Sequence, residues 1–388
     1  MTEPFGSPSS GNASANSNSS AMEFPSDVTI GLTVFASVLF VLSMIGNVLV
    51  IHIVCTRKHM RTSTNVLILN MALGDLLLTI DIPFIVKWFF VHEKWFGGRW
   101  VGGFLCKAAM SAQPGSIAVS VFTLVFISLD RCCAILCPLK KAMKGSVLKI
   151  SIIGIWLASV AFSAPVMIVT GVRETPNGVI CNEYWTDYPM INPKAFISAY
   201  MVCTYLLPLV TVAALYAATA IKLWSRKLPG NENLLAQQKV NASSKKATAM
   251  LITVVVVFAV CWLPLQIREF LKLNAPDLEI PLRVDIVLPW IGISNIAINP
   301  LLYGIFSEKY RREFANILFC RVSQKHEMYP GFTTIPDRTP NTTPILDRRR
   351  RSTLYGNSLS PCPDHKRRST SELIQLKDMN KKLFNGNR

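Results

Sequence analysis

Seven long apolar runs constrain this chain more than any other feature. They cover about residues 29–55, 64–90, 104–133, 149–172, 196–223, 248–272 and 283–306. A run of about 18 or more apolar residues reads as a membrane-crossing helix, because about 20 residues span the hydrocarbon core. Composition agrees: 51% of residues are hydrophobic, only 16% are charged, and mean hydropathy is +0.35. Soluble domains carry about 25% charged residues. The expected fold is an all-α membrane protein, a seven-transmembrane helix bundle over residues 28–306. No internal repeat is evident, and an odd number of runs does not divide into the matched halves of many transporters.

Lysine and arginine set the orientation, because short cytoplasmic loops are enriched in them. Residues 1–56 contain none, whereas Arg57, Lys58 and Arg61 follow the first run. Lys140, Lys141, Lys144 and Lys149 follow the third, and Lys222, Arg226, Lys227, Lys239, Lys245 and Lys246 follow the fifth. The segment after residue 307 is also strongly basic. These segments fall on one side, so the expected arrangement is a multi-pass protein of the plasma membrane, N-terminus outside and C-terminus in the cytoplasm. The net charge of +17 is mostly this asymmetry. It points to contact with anionic lipid of the bilayer and not to nucleic-acid binding.

The flanking segments carry weaker signals. Residues 1–27, rich in Ser, Asn and Pro, read as a disordered external segment without a cleavable signal. Asn12 and Asn18 head glycosylation sequons there. Residues 307–320 read as a short amphipathic eighth helix, ending at Cys320, a palmitoylation candidate. Residues 321–388 read as a disordered cytoplasmic tail. Basic residues precede Ser352, Thr353, Ser369, Thr370 and Ser371, which suits phosphorylation and arrestin recruitment. Cys106 and Cys181 both fall on the oxidising side, so a disulfide is their favoured state, with two buried free thiols as the alternative.

Polar residues inside the runs are the informative ones. A charged side chain at mid-membrane costs about 2.5–3.5 kcal/mol, so it is usually kept for function. Asp75 stands deep in the second run; Ser120, Asn295 and Asn299 are its candidate partners. One acid among neutral oxygens describes a small-cation site, sodium being the candidate ion. The alternative is a protonated packing residue. Pro208, Pro264 and Pro300 interrupt the fifth, sixth and seventh runs, and each removes a backbone donor. Phe258 and Trp262 precede Pro264.

Taken in order, these features resemble the rhodopsin-like G protein-coupled receptors. The resemblance rests on Asn47 in "GN", "LNMALGD" ending at Asp75, and Cys106 with Cys181. It continues through "DRC" at 130–132, Trp156, Pro208 with Tyr216, "FAVCWLP" at 258–264 and "NPLLY" at 299–303. It implies a receptor that activates heterotrimeric G proteins by outward movement of the sixth helix. Asp130 would hold Arg131 in the resting state, and Arg131 would swing toward Tyr216 on activation. Asn299, Pro300 and Tyr303 would move with the seventh helix. Phe258, Trp262 and Pro264 would couple the ligand pocket to that motion. Asp75, Ser120, Asn295 and Asn299 match the family's sodium site. Two departures are Cys132, where tyrosine is usual, and Met71 in a leucine position.

The same resemblance narrows the ligand. Gln113 stands where amine receptors keep an aspartate, and Ile293 where opsins carry the retinal lysine. Gln113, Gln266 and Glu269 are the candidate pocket residues. Charges of both signs crowd the outer loops, including Arg173, Glu183, Asp187, Arg268 and Asp285, and any one of them reads most simply as solvated surface. "WFGGRWVGGFLCK" and "VSVFTL" resemble neuropeptide receptors of the galanin and allatostatin-A type. A peptide ligand is therefore expected, with a lipid or other small molecule as the alternative. A transporter or channel would need repeats or a polar pore. An enzyme is not expected: His52, His59, His92, His326 and His365 form no ligand cluster in the sequence, and no second acid stands beside Asp75.

Overall fold

In a computed structural model, described for residues 26–90, 95–97, 99–136, 143, 145–176, 178–224, 234–275 and 277–319, the chain is almost wholly helical. Asn12, Asn18, Cys320, Ser352, Thr353, Ser369, Thr370 and Ser371 lie outside those residues. The chain divides into the units Met1–Phe314 and Ala315–Arg388, and the bundle belongs to the first.

Seven stretches of 25 to 37 residues are long and apolar enough to cross a membrane. They are built from α1 (Ser26–Thr56), α2 (Ser63–Phe90), α3 (Arg99–Leu136), α4 (Gly145–Val169), α5 (Pro193–Met201) continuing into α6 (Leu207–Trp224), α7 (Leu234–Asn274), and α8 (Leu282–Ile293) continuing into α9 (Asn295–Phe306). A short α10 (Glu308–Leu318) follows. The third span, Trp100–Leu136, runs longer than its apolar run at 104–133. The fourth stops at Val169, earlier than the expected 172, because the chain turns into a strand there.

The second, third and seventh spans are the most enclosed, and the first, fourth and fifth turn most of their surface outward. Isoleucine, valine and leucine therefore cover the outer surface, which fits lipid and not water. Polar side chains hold the interior together. Asn70 donates to Thr123 at 2.9 Å and accepts from the Trp156 indole at 2.9 Å, linking α2, α3 and α4. Ser43 and Thr79 share a 2.6 Å bond between α1 and α2. Small residues allow the closest approaches. A methyl at Gly46 would sit 2.7 Å from Pro300, and one at Gly292 would sit 2.6 Å from the Trp262 ring.

The prolines are accommodated locally. Pro300 has no N–H for the carbonyl of Ile296, and Asn47 supplies the donor at 3.1 Å. The seventh span is interrupted at Ser294, between α8 and α9. Ahead of Pro208 the fifth span widens into a π turn at Val202–Leu206, and Tyr205 from that turn donates to Ala259 of α7 at 2.8 Å. Periodicity of the apolar run does not reveal that turn.

The connection after α4 folds into an antiparallel hairpin, β1 (Thr170–Thr175) with β2 (Gly178–Glu183). Gly178 takes a positive φ of 143° at the tip, a conformation suited to glycine. Cys181 in β2 is bonded to Cys106 in α3, with 5.7 Å between the Cα atoms. The hairpin is thereby fixed over one end of the bundle.

Candidate functional site

Three groups of polar residues are stacked along the bundle interior. The first surrounds a cavity beneath the hairpin. Asp81 of α2, Gln113 of α3, Glu183 of β2, and Gln266 and Glu269 of α7 face it, among rings that include Trp185 and Trp290. Gln113, Gln266 and Glu269, expected as pocket residues, are thus brought together. Trp185 donates its indole N–H to Glu183 at 2.8 Å. Burial pushes the Glu183 carboxyl up to about 7; that bond opposes the rise and the negative Glu269 adds to it.

Two features of this end are not legible in the run pattern. Asp81 is a second acid in the second span and is only 5% exposed. Arg268 is not a solvated rim residue: it is 2% exposed, and its guanidinium is bound by Asp285 at 2.5 and 3.0 Å and by Glu269. Lys272 joins Asp285 at 3.1 Å. These interactions tie the ends of α7 and α8 together. A sequence shows the charges but not that Arg268 turns inward among acids. By contrast, Arg173 and Asp187 pair at the exposed surface, where such a bridge contributes little.

Below the cavity lie Phe258 and Trp262, both buried, with ring centroids 6.4 Å apart. Trp262 rests directly against Gly292, so the sixth and seventh spans touch without a side chain between them. Pro264 follows Trp262 by two residues in α7.

The second group centres on Asp75, which is 1% exposed. Ser120 donates to one carboxylate oxygen at 3.1 Å and Asn299 donates its amide to the other at 3.0 Å. Asn295 Oδ1 stands 3.5 Å from the same Asn299 amide. Asn299 Oδ1 and Asn295 Nδ2 are buried without hydrogen-bond partners among the described residues. The four residues come together as a set.

The third group closes the opposite end. Asp130 is fully buried and bonds Arg131 at 2.8 Å. It also accepts from Ser63 at 2.9 and 3.1 Å and from Thr64 at 2.8 Å, both at the start of α2. The sequence does not mark those hydroxyls, since Ser and Thr at a helix start read as ordinary caps. Tyr216 is buried near this end, on α6. Tyr303 is buried and stacks on Tyr310 of α10 at 5.6 Å. The Glu313 carboxylate of α10 stands 3.0 Å from the Arg57 guanidinium and 3.3 Å from the His59 ring. Cys132 is buried in α3 beside the pair. No cluster of three or more His, Cys, Asp or Glu suited to a metal occurs among the described residues.

This bundle, with a disulfide-held hairpin at one end and a buried Asp130 paired with Arg131 at the other, is the frame of a seven-transmembrane receptor. The family model described as 7 transmembrane receptor (rhodopsin family) matches residues 46–303, and the chain belongs to that family of multi-pass membrane proteins. It is 28% identical to the human substance-P receptor over 288 residues, 73% of this chain and 70% of the relative. It is 32% identical to the tachykinin-like peptides receptor 99D of Drosophila melanogaster over 341 residues, 83% of this chain and 60% of that one. It is 30% identical to the rat somatostatin receptor type 4 over 283 residues, 72% of this chain and 70% of the relative. These relatives are of tachykinin and somatostatin types, other than the galanin and allatostatin-A type that residues 95–107 and 119–124 resemble.

Proposed function

We propose that the chain is a plasma-membrane receptor for an extracellular peptide and that it activates heterotrimeric G proteins, with no catalytic chemistry of its own. The observation that carries this reading is the presence in one bundle of the cavity walled by the hairpin, the buried Asp75 group and the Asp130–Arg131 pair. The names of the relatives, receptors for substance P, tachykinin-like peptides and somatostatin, favour a peptide over a lipid. The lysine and arginine distribution favours a hairpin end facing outward and an Arg131 end facing the cytoplasm.

The mechanism follows from the contacts. A ligand in the cavity touches α2, α3, the hairpin, α7 and α8 at once. If it fits better when α7 is displaced, it moves Trp262 against Gly292, and Pro264 supplies a weak point in the backbone. Opening the far end separates α7 from α3 and frees Arg131 from Asp130. Tyr216 and Tyr303 then fill the space. Driving such a switch from 1% to 99% active takes a differential affinity of about 5.5 kcal/mol. Pools of secreted peptides, tested on purified receptor with a G protein, are expected to include one that accelerates GTPγS uptake. Activation by lipid extracts alone would defeat the peptide reading.

Asp75, Ser120, Asn295 and Asn299 would hold a sodium ion. The fit rests on the carboxylate, the hydroxyl and the unpartnered Oδ1 of Asn299, all hard oxygen donors. A bound cation would offset the buried negative charge and favour the closed arrangement. Ligand-free exchange by the wild type is expected to fall when N-methylglucamine chloride is replaced by sodium chloride. Asp75→Asn is expected to remove that difference. An unchanged sodium response in the variant would rule the site out.

A further inference from the structure

The wall of the cavity carries three acids and no base. Asp81, Glu183 and Glu269 face it from α2, β2 and α7, and no lysine, arginine or histidine is among the described residues lining it. Four bases of the neighbouring helices are engaged among the described residues. Arg268 is bound by Asp285 and Glu269. Lys87 lies over the Phe96 ring at 3.2 Å, and Lys107 donates to the Met167 carbonyl at 2.8 Å. Lys272 is on Asp285.

Asp81 is the sharpest of these observations. It is more than nine-tenths buried and turned to the cavity. Its carboxylate has no hydrogen bond or ion pair among the described residues. The other buried acids of the bundle are provided for: Asp75 by Ser120 and Asn299, and Asp130 by Arg131, Ser63 and Thr64. A buried carboxylate without a partner is costly to keep. Glu183 has one neutral donor, and Glu269, although bonded to Arg268, is close enough to Glu183 to repel it.

We infer that the cavity takes a cationic group of the ligand, a guanidinium or ammonium, seated against Asp81 and Glu183 within the ring-lined wall. The inference rests on the peptide reading above and names the chemistry of the peptide that fits. The cation supplies the donors that Asp81 lacks. It also relieves the repulsion between Glu183 and Glu269. The indole faces of the wall suit a cation as well as an apolar neighbour, since aromatic faces attract cations. Gln113 and Gln266, neutral and able both to donate and accept, suit the amides of the ligand backbone. A free carboxylate driven to the same depth would meet three acids.

The test uses full-length receptor in lipid nanodiscs with a heterotrimeric G protein, read by GTPγS uptake. One probe is a pool of C-terminally amidated hexapeptides, each with a free N-terminus, one arginine and one aromatic residue. The matched pool has citrulline for arginine and an acetylated N-terminus, keeping shape and removing charge. The cationic pool is expected to be about 10- to 100-fold more potent, the range for a hydrogen bond between charged groups. In Asp81→Asn and Glu183→Gln receptors the potency ratio of the two pools is expected to fall toward one. Thermal unfolding of each variant verifies that it is folded. Equal potency of the two pools would overturn the inference and leave the peptide reading standing. Activation by a lipid extract and by neither pool would overturn both.

Discussion

Asp130→Asn is expected to raise ligand-free nucleotide exchange by roughly ten-fold at equal receptor density. The Asp130 carboxylate is fully buried and receives Arg131, Ser63 and Thr64 together. Charged hydrogen bonds of this kind contribute about 1.5–3 kcal/mol each. Asparagine keeps an acceptor for the hydroxyls but loses the ion pair. If the pair belongs only to the resting arrangement, losing about 1.4 kcal/mol shifts the balance ten-fold toward the open one. Arg131→Ala separates latch from effector: it also breaks the pair, yet removes the side chain that would meet the G protein, so its exchange is expected to stay at background. Basal exchange in Asp130→Asn equal to wild type would show that the pair does not restrain the bundle.

The second large effect concerns the hairpin. The Cys106–Cys181 bond closes a loop with a sequence separation of 75 residues. Losing a native disulfide typically costs about 2–5 kcal/mol. Here it also frees β2 two positions before Glu183, at the wall of the cavity. Cys106→Ser is expected to lower the unfolding temperature in detergent and to abolish the response to cationic peptides. Because one bond is lost in either variant, the Cys106→Ser/Cys181→Ser double variant is expected to be no less stable than the worse single one. Additive losses would mean that the two thiols act independently.

The parts of this molecule that show in the sequence are those set by the membrane. Apolar runs must be helices of a given length, and polar residues inside them must find one another. Asp75, Ser120, Asn295 and Asn299 stand out because each is costly in hydrocarbon, and they converge. The Asp130–Arg131 pair stands out because adjacent charges end an apolar run. What the sequence conceals depends on direction. Asp81 follows Asp75 on the same helix, turned by about 240° at 100° per residue. It therefore faces the cavity and not the Asp75 group, and nothing short of the packed bundle reveals a cavity there. Arg268 reads as surface because arginine at a helix end usually is; its burial depends on Asp285 arriving from another span. The hairpin after α4 and the π turn before Pro208 depend on tertiary contacts, which local pattern does not encode.

In the proposed mechanism, occupancy of the hairpin-end cavity is transmitted to Arg131 and there becomes nucleotide exchange. Its most direct measurement is GTPγS uptake by a purified G protein, with wild-type and Arg131→Ala receptors in nanodiscs and the amidated cationic peptide pool as probe. Direct binding of the labelled pool is measured alongside. Both receptors are expected to bind the peptides, and exchange is expected to accelerate with the wild type alone. Peptide binding without exchange in the wild type, or equal acceleration by Arg131→Ala, would contradict it.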